Sequence, residues 1–176
     1  MKFLVLLFCA LIMSVHALAA EILIFGGTRN TGLETVKVLI ARGDNVTAFV
    51  RSTSDVAALN KLGVTLITGD ALDADTVVAA FMNREYDAVI STLGGSVRNP
   101  LVDSQGNINV FAAAEQATVK RVILVSSIGA SGTEGVLEAR ARQFLKPVID
   151  AKTLAETDLK SRSLDWTILR PGQLPE

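Results

Sequence analysis

Cysteine and histidine are almost missing from this sequence: there is one of each, Cys9 and His16. Both stand near the amino terminus, so the rest of the chain has no thiol and no imidazole. That excludes disulfides, thiolate nucleophiles, thiolate or imidazole metal sites, and any catalytic triad that runs through histidine. Aromatic residues are sparse, with seven Phe, one Trp and one Tyr, too few for a platform on which single-stranded bases stack. Charge of one sign is also lacking, since 17 Lys and Arg face 18 Asp and Glu for a formal net charge of −1. No basic field gathers nucleic acid, and no acidic tail is present. The pattern shows no short repeat, low-complexity tract or interdomain linker.

What is abundant is apolar. Of the 176 residues, 49% are hydrophobic and 20% charged, the balance of a packed globule. A domain of roughly 150 residues buries about 68–70% of its unfolded surface, so a core can form without covalent staples. The first 20 residues differ in kind. Lys2 is followed by an uncharged apolar run over 3–13 and by the small residues Ala17-Leu18-Ala19 or Leu18-Ala19-Ala20. This reads as a secretory signal peptide over 1–20, too short in its apolar part to span a membrane comfortably, ahead of a single domain over 21–176. The expected location is secreted or periplasmic, and cytoplasmic if that segment is not used.

From residue 21 onward two periodicities alternate. Short apolar, β-branched runs occur at 22–25, 46–50, 64–67, 88–91, 122–125 and 166–169, and they read as six strands. Helical spacing fills 31–42, 55–62, 73–82 and 107–117, and a longer stretch reaches about residue 160, with Pro147 as a break or a start. Residues 96–103, with Pro100, and 129–135, rich in glycine, read as loops. Buried strands separated by helices imply an α/β fold: a three-layer, doubly wound parallel sheet, the Rossmann arrangement.

The loop after the first strand is Gly26-Gly27-Thr28-Arg29-Asn30-Thr31-Gly32. A tight turn at a strand end lets backbone approach a pyrophosphate, and the following helix offers free N–H groups and a partial positive charge. The spacing departs from G-x-G-x-x-G: Arg29 and Asn30 occupy its middle, and Asn tolerates left-handed backbone. At the end of the second strand an NAD site usually carries a carboxylate for the ribose hydroxyls. Here Phe49-Val50-Arg51-Ser52 has none. Arg51, with Arg29 opposite, suits a 2′-phosphate, which favours NADP(H) over NAD(H).

The run ILIFGGTRNTGLETVKVLIARGDNVTAFVR, continued by Thr68-Gly69-Asp70-Ala71-Leu72, the segment ending Ser91-Thr92-Leu93-Gly94, Val125-Ser126-Ser127-Ile128-Gly129 and Thr167-Ile168-Leu169-Arg170-Pro171-Gly172, resembles the atypical short-chain dehydrogenase/reductase family. The likeness is to its NAD(P)H-binding group related to biliverdin and flavin reductases. The resemblance implies that Asp70 and Ala71 lie along the adenine. It sets Thr92, Leu93 and Gly94 against the ribose and pyrophosphate, and Ser126 and Ser127 by the nicotinamide. Lys152 resembles the lysine of the family's Tyr-x-x-x-Lys pair, yet Val148 stands where the tyrosine belongs, and Tyr86, the only tyrosine, lies far off in the pattern. The chain also ends at Glu176, short of the substrate-binding elements with which family members continue.

Three functions follow as expectations. The first is an NADPH-dependent oxidoreductase acting on a small flavin-like or quinone-like acceptor, with Ser127 and Lys152 as candidate catalytic residues. The second is a non-catalytic NADP(H)-binding sensor or partner module. The third is a nucleotide-sugar epimerase or dehydratase, which would want the missing tyrosine. The partner expected in each case is a small molecule, with no nucleic acid and no membrane span after signal cleavage.

Overall fold

In the first strand, β1 (Glu21–Phe25), Leu23, Ile24 and Phe25 are all inaccessible to water. Consecutive strand residues point to opposite faces, so burial of neighbours requires cover on both sides. A computed structural model supplies that cover; it describes residues 19–82, 84–119 and 121–172. The expected signal peptide, apart from Ala19 and Ala20, falls outside the described residues.

The chain continues through α1 (Asn30–Arg42), β2 (Asn45–Val50), α2 (Ala57–Lys61), β3 (Thr65–Thr68), α3 (Ala74–Ala79), β4 (Ala88–Ser91), α4 (Asn107–Gln116), β5 (Arg121–Val125), α5 (Ala139–Ser161) and β6 (Asp165–Leu169). The six strands pair in parallel in the order β3-β2-β1-β4-β5-β6. The order reverses direction between β1 and β4, the crevice where open α/β sheets bind ligands. Leu23 and Phe25 pack on one side of the sheet with Phe111 and Val110 of α4 and Leu159 of α5. Ile22 and Ile24 pack on the other with Val36 and Leu39 of α1 and Leu59 of α2. Among the described residues no helix is long and apolar enough to cross a membrane.

Two expectations are corrected. Residues 96–103 do not form a loop throughout: the helix begins at Leu101, directly after Pro100, and passes through a π-turn, Val102–Gly106, into α4. Proline just ahead of a helix is tolerated because the first turn needs no N–H from it. The second concerns Pro147, which neither breaks nor starts α5; the helix runs through it for 23 residues. Proline removes one helical hydrogen bond, but Pro147 is exposed, so the released carbonyl stays in reach of water.

Candidate functional site

A cleft of about 690 Å³ lies along the carboxyl ends of the strands. Its floor is the turn from β1 to α1. Gly26 has a φ of +85°, and a Cβ there would sit 2.7 Å from Thr92 Oγ1. At Gly32 a Cβ would run into the Gly26 carbonyl oxygen. Thr92 itself is held at the end of β4, its N–H donating to the Phe25 carbonyl at 2.9 Å and its hydroxyl to the same oxygen at 3.1 Å. The turn is thus drawn tight enough that only hydrogen fits at two positions. Asn30 takes the left-handed backbone foreseen for it, with a φ of 47°.

No side chain caps the amino terminus of α1, and its first turn has no acidic residue. Its leading N–H groups are therefore open to an anion, with the helix dipole in its favour. Arg29 and Arg51 flank the cleft from the turn and from the tip of β2, both exposed. Neither forms an ion pair among the described residues. These features fit a dinucleotide: a cradle without Cβ atoms, a free helix terminus and two uncommitted guanidinium groups.

The structure brings nearly all the expected residues to one cleft. Thr28, Thr31, Asp70, Ala71, Leu93, Gly94, Ser126 and Lys152 line it alongside Gly26, Gly32 and Thr92. Gly27 and Ser127 do not. Gly27 faces the core, where a Cβ would stand 3.2 Å from Ile24 and 3.3 Å from Val36. Asp70 is partly occupied locally, since its carboxylate accepts the Leu72 N–H at 3.0 Å.

Two buried ionic clusters support the far end of the cleft, and the sequence reading missed both. In the first, Lys152 Nζ lies 3.0 Å from Oδ1 of Asp103, which is fully buried in the π-turn. The other carboxylate oxygen accepts the Gly95 N–H at 2.7 Å. Asp103 therefore ties α5 to the cleft wall at Gly95. Next to it Asn107 accepts the Ser91 hydroxyl at 2.5 Å and donates to the Asp103 carbonyl at 3.0 Å.

In the second cluster, Glu156 is also fully buried. Its Oε1 accepts the Ser126 hydroxyl at 2.6 Å and Arg170 Nε at 2.9 Å, and Arg170 Nη2 closes on Oε2. Burial alone would raise the Glu156 carboxyl. Hydrogen bonds from Arg170 and Ser126, with the Arg170 charge, outweigh burial and hold it at about 2. The signal for both clusters was spacing: Ile149, Lys152, Glu156 and Leu159 fall on one face of α5, so the two charged residues had to point inward.

Among the described residues no group of three or more acidic, histidine or cysteine side chains could hold a metal. A second cavity, about 540 Å³ beside Arg84 and Tyr86, sits at the opposite edge of the sheet and has no glycine turn.

A parallel sheet with a glycine-walled cleft at its crossover point and an open helix terminus beneath defines a dinucleotide-binding Rossmann protein. The family model for NAD(P)H-binding proteins matches residues 26–176, and the chain belongs to that family. The likeness to atypical short-chain dehydrogenases/reductases holds. Among solved structures, ChuY, an anaerobillin reductase from Escherichia coli O157:H7, is 34% identical with a TM-score of 0.77, over 87% of this chain and 73% of that one. Photosystem II assembly factor Ycf39 of a Synechocystis species is 30% identical over 155 residues, 85% of this chain and 44% of that protein. The uncharacterized sugar epimerase YhfK of Bacillus subtilis is 30% identical over 160 residues, 88% of this chain and 72% of that protein. The chain spans about half the length, 44% and 51%, of the first curated relatives it matches.

Proposed function

We propose that this chain binds NADP(H) in preference to NAD(H) and serves as an oxidoreductase that reduces a small conjugated acceptor of the flavin or quinone kind. The observation that carries the cofactor preference is the tip of β2, where Arg51 faces the cleft and no carboxylate accompanies it. A carboxylate there would repel a 2′-phosphate, whereas a guanidinium binds one through paired, charge-assisted hydrogen bonds. In this reading the loop from Gly26 to Gly32 holds the diphosphate, Asp70 and Ala71 lie along the adenosine, and Thr92 to Gly94 face the ribose and phosphates. Lys152 reaches the second ribose.

The acceptor class follows from proton supply. Bound here, a reduced nicotinamide supplies a hydride, two electrons and a proton, to the acceptor. None of the proton donors that the family resemblance would supply, at positions 126, 127, 148 and 152, is placed to add a second proton. The Ser126 hydrogen is directed to Glu156, Lys152 is held by Asp103, Val148 replaces the family tyrosine, and Ser127 lies off the cleft. A flavin-like or quinone-like acceptor stabilises the anion it becomes and takes its proton from water. An unactivated ketone does not. ChuY, named a reductase, is compatible with this chemistry.

Val148 also supports a second reading, a nucleotide-binding module without turnover, and the name of Ycf39 as an assembly factor points the same way. The test joins calorimetry to kinetics on the purified chain. NADPH should bind at least about tenfold more tightly than NADH, the scale of one charge-assisted phosphate contact. NADPH should also be oxidised by flavins or quinones and not by simple ketones. Equal affinities would overturn the phosphate assignment, and tight binding without turnover on any acceptor would favour the module.

A further inference from the structure

Ser126 sits at the tip of β5, only 5% exposed, yet it contributes to the cleft wall beside Val125 and Pro171. Its donors are both spent. The main-chain N–H donates to the Leu169 carbonyl at 2.8 Å, and the hydroxyl donates to Glu156 Oε1 at 2.6 Å. Glu156 cannot return a hydrogen, because the groups bonded or paired to its carboxylate are all donors: the Ser126 hydroxyl, Arg170 through Nε and Nη2, and Lys160 Nζ at 3.6 Å. Turning the Ser126 hydrogen toward the cleft would leave a buried, charged oxygen short of a partner. A hydroxyl has one hydrogen and two lone pairs, so what Ser126 keeps for a ligand is acceptor capacity alone.

We infer that Ser126 is a positioning residue that accepts a hydrogen bond from the carboxamide N–H of the nicotinamide, its orientation locked from behind by Glu156 and Arg170. The inference rests on the cofactor reading above. It assigns Ser126 the opposite polarity from a proton donor. It also gives the buried pair a task, holding an acceptor at a fixed point so that the ring presents one face to the substrate. Lys152, a donor on the same stretch of wall, cannot serve the amide hydrogen and is left to hydroxyl or carbonyl oxygens.

The test is equilibrium binding, read by calorimetry on the full chain. The ligands are NADP⁺ and its 3-acetylpyridine analogue, in which a methyl group replaces the amide nitrogen. Wild type should prefer NADP⁺ by about fivefold to tenfold, the scale of one neutral hydrogen bond. Ser126→Ala should weaken NADP⁺ by a similar factor and the analogue by less than about twofold, and Ser126→Thr should keep the preference. If Ser126→Ala does not fold, the wild-type ratio and the Thr variant still decide. Equal wild-type affinities, or equal losses for both ligands in Ser126→Ala, would overturn the inference while leaving the cofactor reading intact. No binding of either ligand to wild type would overturn both.

Discussion

Arg51 and Arg29 approach the cleft from different elements, and neither is spent on an ion pair among the described residues. Reversing the charge at one of them separates a phosphate contact from general binding. Arg51→Glu should weaken NADPH by about 10- to 100-fold, the equivalent of 1.5–3 kcal/mol for a charge-assisted contact, and NADH by less than about threefold. Calorimetric titration of both cofactors checks this, and equal losses would count against the assignment. Gly32 makes a second case at the same scale. A methyl group there meets the Gly26 carbonyl and lies 2.6 Å from Thr92 Oγ1, so backbone must give way. Gly32→Ala should cost about 1–3 kcal/mol in stability through overpacking and lower NADPH affinity by widening the turn, as thermal unfolding and titration would show. The glycine turn was readable at the residue level because its chemistry is local. The roles of Asp103 and Glu156 were not, because their partners lie far along the chain.

Helix α5 carries the site's least obvious device. Its inward face presents Lys152 to Asp103 and Glu156 to Ser126 and Arg170, so one helix anchors both the π-turn before α4 and the segment after β6. Removing one partner of such a pair strands a buried charge, at a cost of about 3–5 kcal/mol. Lys152→Met should therefore lower the urea midpoint sharply, and adding Asp103→Asn should recover much of the loss. If Lys152→Met left the midpoint unchanged, Lys152 would be a surface cation and the tie between α5 and the π-turn would be illusory. Strands and most helices were legible because burial on both faces writes itself as runs of β-branched residues. The helix start at Leu101 and the passage of α5 through Pro147 were not. Both depend on what surrounds a proline: position in a first turn for Pro100, exposure to water for Pro147.

For the molecule as a whole, the Glu156 cluster sets an acid limit. Glu156 is held at about 2, below its ordinary 4.5, so the folded state binds its proton more weakly than the unfolded chain does. The stabilisation is complete above about pH 4.5, roughly 3 kcal/mol by linkage, and is lost as pH falls through 2. Urea midpoints should decline between pH 5 and pH 2.5, and Glu156→Gln should be less stable at pH 7 with a flatter decline. Parallel slopes for the two proteins would remove Glu156 as the cause.

The succession of strands and helices, the glycine turn and the cationic tip of β2 followed from sequence alone, because each is set by neighbours within a few residues: alternation, a strand-to-helix junction, a missing carboxylate. Tertiary structure alone decided which polar side chains are committed and which remain free. Ser126 and Ser127 are adjacent and chemically identical, yet only Ser126 lines the cleft, with its hydrogen given to Glu156. That difference exists only once α5 packs against β5 and β6, since a buried charge chooses its partners by proximity in space.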